Sequence, residues 1–523
     1  MAHSNVPGHS GPVSLRDYPQ LDDAWCRGLF DDSGHLVNSR CDELEHEPSY
    51  PHPLLDFYRD YSQRFLEHRS VFTPYEAAVA VSTISGVFGA FRSSGIEDRL
   101  PHFRLAGARE RYRLDPANVT VGILTAGGNA PGLNTVIDSI VKRHLLLATA
   151  RSLDPASRAV QPGVTIKGYL RGYNGLLTGE RMALDHHITD PISLAAGSIL
   201  KCRRGEKPAD QDASRVLFQR MVDTVQRDRL DVLYVVGGNG TIRAAIGLCE
   251  VLAARGTTGE QGRPVRVVAA PKTMDNDINF TDVTFGFRTT VENAVEAIRR
   301  IHVEAETAER IGVVELFGAK SGFVAVHAAY ASGEADYVLI PELVPDPLNA
   351  ASAIERAALR LAERYKKHGH ALLVVAEGAS AAFKPPDTAS HKEPGFEVLL
   401  RELDAALRKA LGAPAPAGPP ELLVSRPLHL VRSTGPNAFD VDLCKQTGKL
   451  MVDAALGGFS RCVLSLWHGD YVLVPLETAV ARLKQVDVGA YYFLSMMEKY
   501  LLRSGPQARR EGPLADIPEE YFG

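Results

Sequence analysis

The stretch that decides the fold of this chain is Pro271-Lys272-Thr273-Met274-Asp275-Asn276-Asp277. It follows the apolar run 265–270 and sets two carboxylates, a cation and a hydroxyl close together. An aspartate near a hydroxyl can accept its proton, and a second aspartate can hold Mg²⁺ on a phosphate, as phosphoryl transfer requires. A polar turn between a strand and a loop would have a similar composition, so the stretch alone leaves both interpretations open.

Two earlier loops strengthen the chemical interpretation. The apolar run 119–124 leads into the glycine-rich loop 125–134, and the run 232–236 leads into Gly237-Gly238-Asn239-Gly240-Thr241. Each is a short buried-strand pattern that ends in glycines before a helical pattern, which is how a parallel sheet presents backbone N–H groups to phosphate. Together with the stretch 271–277 they make three loops suited to phosphate at the ends of three strands, and they predict an α/β protein with its ligands at the carboxyl ends of the strands.

Composition limits the class of protein. With 523 residues, 45% of them hydrophobic and 23% charged, the chain should hold two or more domains. A net charge of −5 gives no reason to expect nucleic acid or an anionic membrane as a partner. The six cysteines are scattered and residues 1–14 lack an apolar signal core, which indicates the cytoplasm. The apolar run 77–91 is too short for a membrane span of about 20 residues and is interpreted as a buried helix.

The chain divides into an extension, a body and a tail. Residues 1–115 are predicted to form an N-terminal extension that packs on the body or contacts another subunit. In the body, the strand-like runs 311–316, 337–340 and 371–376 alternate with helical patterns and predict a second α/β unit.

With these loops in place, the chain resembles the phosphofructokinase family over most of residues 105–480. The family's glycine-rich loop, its Gly-Gly-Asp-Gly loop and its Pro-Lys-Thr-Ile-Asp-Asn-Asp segment match residues 127–132, 237–240 and 271–277. The segments 106–111 and 284–289 are similar to the longer ATP-dependent branch found in plants and trypanosomes.

The resemblance implies two doubly wound α/β domains behind the N-terminal extension. The donor-binding domain would comprise residues 116–286 plus about 432–483, by the family's interleaved topology. The sugar-phosphate-binding domain would comprise residues 287–431 plus about 484–523, with the C-terminal tail.

The resemblance also implies roles in the catalytic loop. Asp275 is similar to the family's general base for the 1-hydroxyl of the sugar phosphate, and Thr273 to a hydroxyl that contacts the substrate. Asp277 is similar to a Mg²⁺ ligand on the substrate side. Lys272 would face the donor or the transferred phosphate, and a salt bridge to Asp277 is the alternative.

On the acceptor side, the positions that match the family's substrate site are Arg310, Phe317, Gly318, Glu377, His429 and Arg432. The resemblance implies that Arg310 reaches the sugar-phosphate site of a neighbouring subunit, so a homodimer or homotetramer is expected. Glu377 would accept from a sugar hydroxyl, and Arg432 would bind the 6-phosphate. His429 could equally be a polar residue on a half-buried strand.

On the donor side, the matching positions are Gly127, Gly128, Tyr173, Arg203, Arg204, Gly238, Asn239, Gly240 and Thr241. Arg204 is similar to an arginine that bridges donor phosphates, and Tyr173 to an aromatic residue near the nucleotide. In the family, a glycine at Gly240 leaves room for the α-phosphate of ATP, whereas an aspartate accompanies use of pyrophosphate. ATP is therefore the expected donor, with pyrophosphate as the alternative.

Three departures from the family pattern alter the expected site. Asn239 stands in place of an aspartate near Mg²⁺, and an amide oxygen can still bind the ion but brings no charge. Phe317 and Ala319 replace a methionine and an arginine, although Lys320 could supply a positive charge. Bulkier, more basic residues at 201–203 replace small ones.

The leading expectation is Mg²⁺-dependent transfer of the γ-phosphoryl group of ATP to the 1-hydroxyl of fructose 6-phosphate. Another sugar phosphate as acceptor, pyrophosphate as donor, or transfer of a diphosphoryl group would use the same fold. A catalytically weak regulatory subunit that senses sugar phosphates is the alternative from a different class.

Overall fold

The computed structural model describes residues 14, 29–31, 33, 35–38, 40–44, 49–65, 71–80, 85–94, 100–152, 163–203, 210–344, 347–383, 395–412, 420–490, 493 and 495–496. The strands are β1 (Tyr50–Pro51), β2 (Ala78–Ala80), β3 (His102–Leu105), β4 (Arg111–Tyr112), β5 (Thr120–Thr125), β6 (Thr165–Tyr169), β7 (Arg181–Ala183), β8 (Val232–Gly237), β9 (Arg266–Pro271), β10 (Ile311–Leu316), β11 (Tyr337–Leu339), β12 (Ala371–Ala376), β13 (Leu422–Ser425), β14 (Cys462–Trp467) and β15 (Asp470–Pro475).

The helices are α1 (Leu55–Phe65), α2 (Ser85–Ser93), α3 (Leu133–Ser152), α4 (Tyr173–Thr178), α5 (His186–Thr189), α6 (Gln211–Arg227), α7 (Asn239–Ala254), α8 (Phe287–Thr307), α9 (Phe323–Ser332), α10 (Pro347–His368), α11 (Glu377–Ala381), α12 (Gly395–Leu411), α13 (Ala438–Leu456) and α14 (Leu476–Ala479). Short 3-10 helices lie at Asp190–Ile192, Pro341–Leu343 and Leu428–Val431. The predicted α/β fold is confirmed, because buried strands alternate with helices through the body of the chain.

The larger sheet has nine strands in the order β2-β3-β15-β14-β9-β8-β5-β6-β7. Strands β14, β9, β8, β5 and β6 run parallel, and the flanking strands are antiparallel. In the register, Thr125 pairs with Val236, and Gly237 pairs with Pro271. The three loops that the sequence singles out therefore begin at the same edge of this sheet.

The smaller sheet has four parallel strands in the order β11-β12-β10-β13. Leu316 at the end of β10 pairs with Ala376 at the end of β12, so the residues that follow, Phe317 and Glu377, leave one edge together. One apolar cluster contains both Val236 of the larger sheet and Leu316 of the smaller one. The two sheets are thus joined through a shared core.

The described part of the N-terminal extension completes the larger sheet. Strands β2 and β3 add to its edge beside β15. The Tyr112 hydroxyl donates a 2.6 Å hydrogen bond to Asp453, which also forms a buried ion pair with Arg143. The helix predicted for 77–91 is wrong at its start, because residues 78–80 pair with β3 as a strand and helix α2 begins only at Ser85.

Within the described ranges, none of the helices combines the length and the apolar character that crossing a membrane requires. The domain boundaries predicted from the sequence stay a prediction.

Candidate active site

The catalytic loop 271–277 is held in place from both sides. Asn276 adopts a left-handed backbone conformation with φ of 55°, and its side-chain oxygen accepts a 3.0 Å hydrogen bond from the backbone N–H of Thr284. The Thr284 hydroxyl donates to the carbonyl of Thr273, and the Ser321 hydroxyl donates to the carbonyl of Asp275 at 3.0 Å. Since Ser321 follows β10 of the smaller sheet, the loop is fixed where the two sheets meet.

The carboxyl group of Asp275 has an unusual electrostatic environment. Burial raises its pKa to about 7, and the nearby carboxylates of Asp277 and Glu377 add to the rise. Arg432 and Lys272 oppose it. The Oδ1 atom of Asp275 is buried and has no hydrogen-bond partner among the described residues. A carboxyl group with a pKa near neutrality and a free oxygen is suited to proton transfer.

Lys272 joins the catalytic loop to the first glycine-rich loop. Its side chain is buried, and its ammonium group donates a hydrogen bond to the Gly128 carbonyl. A methyl group on Gly127, which has a φ of 88°, would lie 3.1 Å from the Lys272 Nζ atom. The ammonium group therefore lies directly against the loop that the sequence assigns to phosphate.

The second glycine-rich loop presents a helix N-terminus. Helix α7 begins at Asn239, and its N-cap residue Gly238 has no side chain that could cap the first N–H groups. These N–H groups and the dipole of the 16-residue helix favour an anion. A Cβ atom on Gly240 would meet nothing within 4 Å among the described residues, so the space beside the helix is open.

Oxygen atoms suited to a hard cation lie between this helix and the catalytic loop. Asn239 donates from Nδ2 to the Asp277 carbonyl at 3.3 Å, which holds the two residues together. The Oδ1 atoms of both residues are buried without a hydrogen-bond partner in the described part of the chain. Burial raises the pKa of Asp277, against hydrogen bonds from Thr273 and Asn239 that lower it. Carboxylate and amide oxygens are ligands that Mg²⁺ prefers, so the residues fit this ion.

Three predicted acceptor-side residues form a stack. The Arg432 guanidinium group lies 4.4 Å from the centre of the Phe317 ring, and its Nη2 atom is 2.9 Å from Nδ1 of His429. The ring centres of Phe317 and His429 are 5.6 Å apart. A methyl group on Gly128 would lie 3.0 Å from the guanidinium group, which places the stack beside the phosphate loop. His429 lies in a 3-10 helix, so the alternative that it belongs to a strand is wrong.

Gly318 and Glu377 lie where β10 and β12 end. The N–H group of Gly378 donates to the Gly318 carbonyl at 2.8 Å. A Cβ atom on Gly378 would lie 2.5 Å from the Ala319 carbonyl, and one on Gly318 would lie 2.5 Å from the Ser321 carbonyl of the same turn, so neither position has room for a side chain. Glu377 is exposed at the start of α11 and contributes to the raised pKa of Asp275. Ala319 and Lys320 are also exposed.

Fewer of the residues predicted for the donor side are brought together by the described structure. The Tyr173 hydroxyl donates to the Thr241 carbonyl at 2.8 Å, which ties this ring to the start of α7. The carbonyl of Lys201 accepts a 3.1 Å hydrogen bond from the Thr125 hydroxyl, so the basic loop lies at the end of β5. Arg203 is exposed in this loop, and the predicted Arg204 lies outside the described residues.

Arg310 does not join the other predicted residues. It precedes β10, whereas Phe317 follows this strand, so the two lie about 20 Å apart at 3.3 Å per residue. Its guanidinium group pairs with Glu421 at 3.2 Å and is partly exposed.

Two supporting residues were missed in the sequence. The ammonium group of Lys484 donates to the carbonyls of Thr281 and Asp282, and burial lowers its pKa to about 8. Asp440 accepts hydrogen bonds from the N–H groups of Gly286 and Thr289 and fixes the start of α8. Both lie far along the chain from the loop that they support, and no local motif marks them.

Fold and site together define an α/β protein whose glycine-rich loops, cationic side chains and buried carboxyl groups come together where two sheets meet. A family model described as phosphofructokinase matches residues 120–455, and the chain belongs to the phosphofructokinase family. It is 33% identical over 409 residues to an ATP-dependent 6-phosphofructokinase from Amycolatopsis methanolica, covering 76% of this chain and 82% of the relative. It is 33% identical over 398 residues to the enzyme of the same name from Trypanosoma brucei brucei, covering 73% of each chain.

The chain is also similar to a plant relative and, in its fold, to two solved structures. The chain is 32% identical over 390 residues to the chloroplastic ATP-dependent 6-phosphofructokinase 5 of Arabidopsis thaliana, covering 73% of this chain and 66% of the relative. The fold is similar to that of a pyrophosphate-dependent phosphofructokinase from Marinobacter aquaeolei, with a TM-score of 0.56, 16% identity and coverage of 73% and 91%. Phosphofructokinase from Saccharomyces cerevisiae gives a TM-score of 0.55, 21% identity and coverage of 73% and 50%.

Proposed function

We propose that this protein transfers the γ-phosphoryl group of ATP to the 1-hydroxyl of fructose 6-phosphate with the help of Mg²⁺. The observation that carries the proposal is the buried Asp275 carboxyl group beside Lys272 and Arg432, in a chain about one third identical to ATP-dependent 6-phosphofructokinases. Relatives of that name support both the donor and the acceptor.

Asp275 serves as the general base. Its pKa of about 7 makes it a stronger base than an ordinary carboxylate, while a useful fraction is still ionised at neutral pH. It takes the proton of the 1-hydroxyl as the oxygen attacks the γ-phosphorus, and the bond to the leaving ADP oxygen breaks. The hydrogen bond from Ser321 to the Asp275 carbonyl keeps the base in position.

Lys272 and the N-terminus of α7 bind the donor. The uncapped N–H groups at the start of α7 receive phosphate oxygens, and the open space beside Gly240 receives the α-phosphate. Lys272 provides a fixed positive charge next to the transferred group, where buried and preorganised charge stabilises the transition state most.

Asp277 and Asn239 would hold Mg²⁺ through their buried, unpaired oxygens. When bound, the ion neutralises charge on the donor phosphates. The negative charge of Asp277 is the larger contribution, because Asn239 supplies only a dipole.

Arg432 binds the phosphate of the acceptor, and Glu377 accepts from one of its hydroxyls. Stacking on Phe317 and the contact with His429 hold the Arg432 guanidinium group in one orientation. A second acceptor, another sugar phosphate, is favoured by one observation: Ala319 is exposed where the family carries an arginine, so the planar guanidinium group is absent and only the neighbouring Lys320 offers a positive charge.

The protein forms a homodimer or homotetramer in this proposal, with Arg310 completing the acceptor site of a neighbouring subunit. Its position at the far end of β10 and its partial exposure support this assignment. A cytoplasmic location also stays a prediction. The five described cysteines are all free, as a reducing compartment favours.

Phosphorus NMR of the products, with ATP and pyrophosphate offered separately to a panel of ketose phosphates, tests the proposal. We expect ADP and fructose 1,6-bisphosphate from ATP and fructose 6-phosphate, with much slower turnover of pyrophosphate. Preferential turnover of another ketose phosphate would favour the second candidate function, a kinase that acts on a different sugar phosphate. Binding of sugar phosphate without turnover of any pair would overturn the proposal in favour of a sensor.

A further inference from the structure

Two histidines and two glutamates converge at the end of the smaller sheet opposite to the catalytic cleft. His302 and Glu306 lie one turn apart on α8, Glu334 follows α9, and His370 immediately precedes β12. Because β12 separates His370 from Glu377, this cluster lies about 20 Å from the catalytic cleft at 3.3 Å per residue. It takes no part in the proposed reaction.

His370 presents an unused lone pair to this cluster. It is 95% buried, since its exposed fraction is 5%. Its Nδ1 atom lies 3.1 Å from the backbone carbonyl of His368, and such a bond requires that Nδ1 carry the proton. Nε2 is then an acceptor, and it is buried with no hydrogen-bond partner among the described residues. Metal-binding histidines usually donate a hydrogen bond from one ring nitrogen to a carbonyl or carboxylate, and the other ring nitrogen then offers its lone pair to the metal.

The other side chains supply further ligand atoms. Nε2 of His302 lies 3.3 Å from a Glu334 oxygen and 3.9 Å from a Glu306 oxygen. Ligand atoms of His302, Glu306 and His370 all lie within 4.8 Å of one another. In a tetrahedral site with bonds of about 2.0–2.1 Å, the ligand atoms are roughly 3.4 Å apart. A small contraction would close the site, and the exposed Glu306 side chain can supply it.

The charge of the cluster favours a cation. Its two carboxylates, Glu306 and Glu334, attract a cation, and the neighbouring Arg364 is paired with Asp336 at 3.2 Å. Nitrogen and carboxylate ligands in a near-tetrahedral set suit Zn²⁺ and similar divalent transition ions, whereas Mg²⁺ prefers an all-oxygen octahedral site.

We propose that His302, Glu306 and His370, with Glu334 as a fourth ligand, form a binding site for a divalent transition-metal ion of the Zn²⁺ type. A bound ion links helix α8 to the start of β12 and to the turn after α9. The exposed Glu306 side chain provides the entry path from solvent.

Calorimetric titration of the chelator-treated full chain with Zn²⁺, in excess Mg²⁺ to occupy hard-ion sites, tests this proposal. We expect one tight Zn²⁺ per chain. His370→Gln and His302→Gln should each weaken its binding by at least about tenfold, because even changes to residues that only support ligands cost 10- to 100-fold. Glu306→Gln, at an exposed position that tolerates change, should weaken binding in a protein that remains folded.

Two variants serve as controls. His187→Gln removes an exposed histidine that stacks on His186, and Asp277→Asn alters the predicted Mg²⁺ ligand; neither should change Zn²⁺ binding at this site. Visible absorption of Co²⁺ in the same titration should be typical of a four-coordinate ion and should be lost in His370→Gln. Absence of Zn²⁺ binding by the wild-type chain, or binding that is unchanged in folded His370→Gln and Glu306→Gln, would overturn the proposal.

Discussion

The catalytic loop 271–277 and the turn 317–320 face the same cleft but differ in how they are held. In the loop, Asn276 and the Thr273 carbonyl are bonded to Thr284, ahead of α8, and the Asp275 carbonyl is bonded to Ser321, which follows β10. In the turn, the side chains of Ala319 and Lys320 are exposed, and the backbone is held by hydrogen bonds to the carbonyls of Gly318 and Lys320. The anchored loop keeps the family's lysine, threonine and aspartates, whereas the turn carries two departures, the buried Phe317 and the exposed Ala319.

This difference has a physical consequence. A change in the loop disturbs buried hydrogen bonds and charges, whereas a change at Ala319 alters only what the cleft offers to a ligand. We infer that the loop preserves the chemistry while the turn adjusts the substrate. Four predictions, from the largest expected effect to the smallest, test this division.

The largest effect is expected from removal of the base in the anchored loop. Asp275→Asn should lower turnover by roughly 10²–10⁴-fold, the range typical of general-base catalysis, because the amide cannot accept the proton. Binding of fructose 6-phosphate, measured by calorimetry, should persist. Asp212→Asn, at an exposed position on α6, is the matched control and should retain activity. Near-normal turnover of Asp275→Asn would show that Asp275 is not the general base.

The same substitution should stabilise the folded protein at alkaline pH. The pKa of Asp275 is raised from 3.8 to about 7, so its ionisation costs stability increasingly between these values, and the cost is complete above pH 7. The neutral amide avoids it, and near pH 8 the free energy of unfolding should rise by about 1–4 kcal/mol. Denaturant titrations at several pH values measure this gain, which should vanish below pH 4. Equal stability of the two proteins at pH 8 would contradict the raised pKa.

At the helix N-terminus, Gly240→Asp tests the donor. The new carboxylate has open space to occupy but places negative charge where the α-phosphate of ATP would lie. The ratio of ATP-dependent to pyrophosphate-dependent activity should fall by at least about tenfold, equivalent to 1.4 kcal/mol. Gly240→Ala adds volume without charge and should change this ratio little. An unchanged ratio in Gly240→Asp would place the donor elsewhere.

The smallest effect concerns the two departures that alter charge. Ala319 lacks a positive group and Asn239 lacks a negative one, so the two changes could compensate each other across the phosphate site. Ala319→Arg or Asn239→Asp alone should help little or reduce phosphofructokinase activity, and the double variant should exceed the sum of both. A double-mutant cycle on kcat/KM should give a coupling of about 0.5–3 kcal/mol. Strict additivity would show that the departures are independent and direct attention to Phe317 and Cys202.

Much of the fold could be predicted because its strands are buried on both faces. The run 311–316 coincides with β10, and the run 371–376 with β12, since short segments rich in Val, Leu and Ile leave few alternatives. The helix predicted over 77–91 is wrong at its start because an edge strand and a helix share one apolar stretch, and only pairing with β3 shows that residues 78–80 are a strand.

The candidate site likewise has one part that the sequence predicts and another part that it does not. Loops at the ends of parallel strands meet at one edge, so the proximity of Gly128, Lys272 and Asp275 follows from the strand pattern. The contributions of Lys484 and Asp440 could not be predicted, because they depend on packing between distant segments. The stack of Phe317, His429 and Arg432 likewise arises from tertiary contact between β10 and a distant 3-10 helix.

The central claim is that burial and neighbouring carboxylates prepare Asp275 to act as the base. The pH dependence of kcat/KM for fructose 6-phosphate, at saturating ATP and Mg²⁺, tests it most directly. Since the ionised form is active, the rate should fall about tenfold per pH unit below a midpoint near 7, the value to which the pKa of Asp275 is raised. A profile that stays flat between about pH 5 and 8, with its midpoint near the ordinary aspartate value of about 4, would contradict this claim.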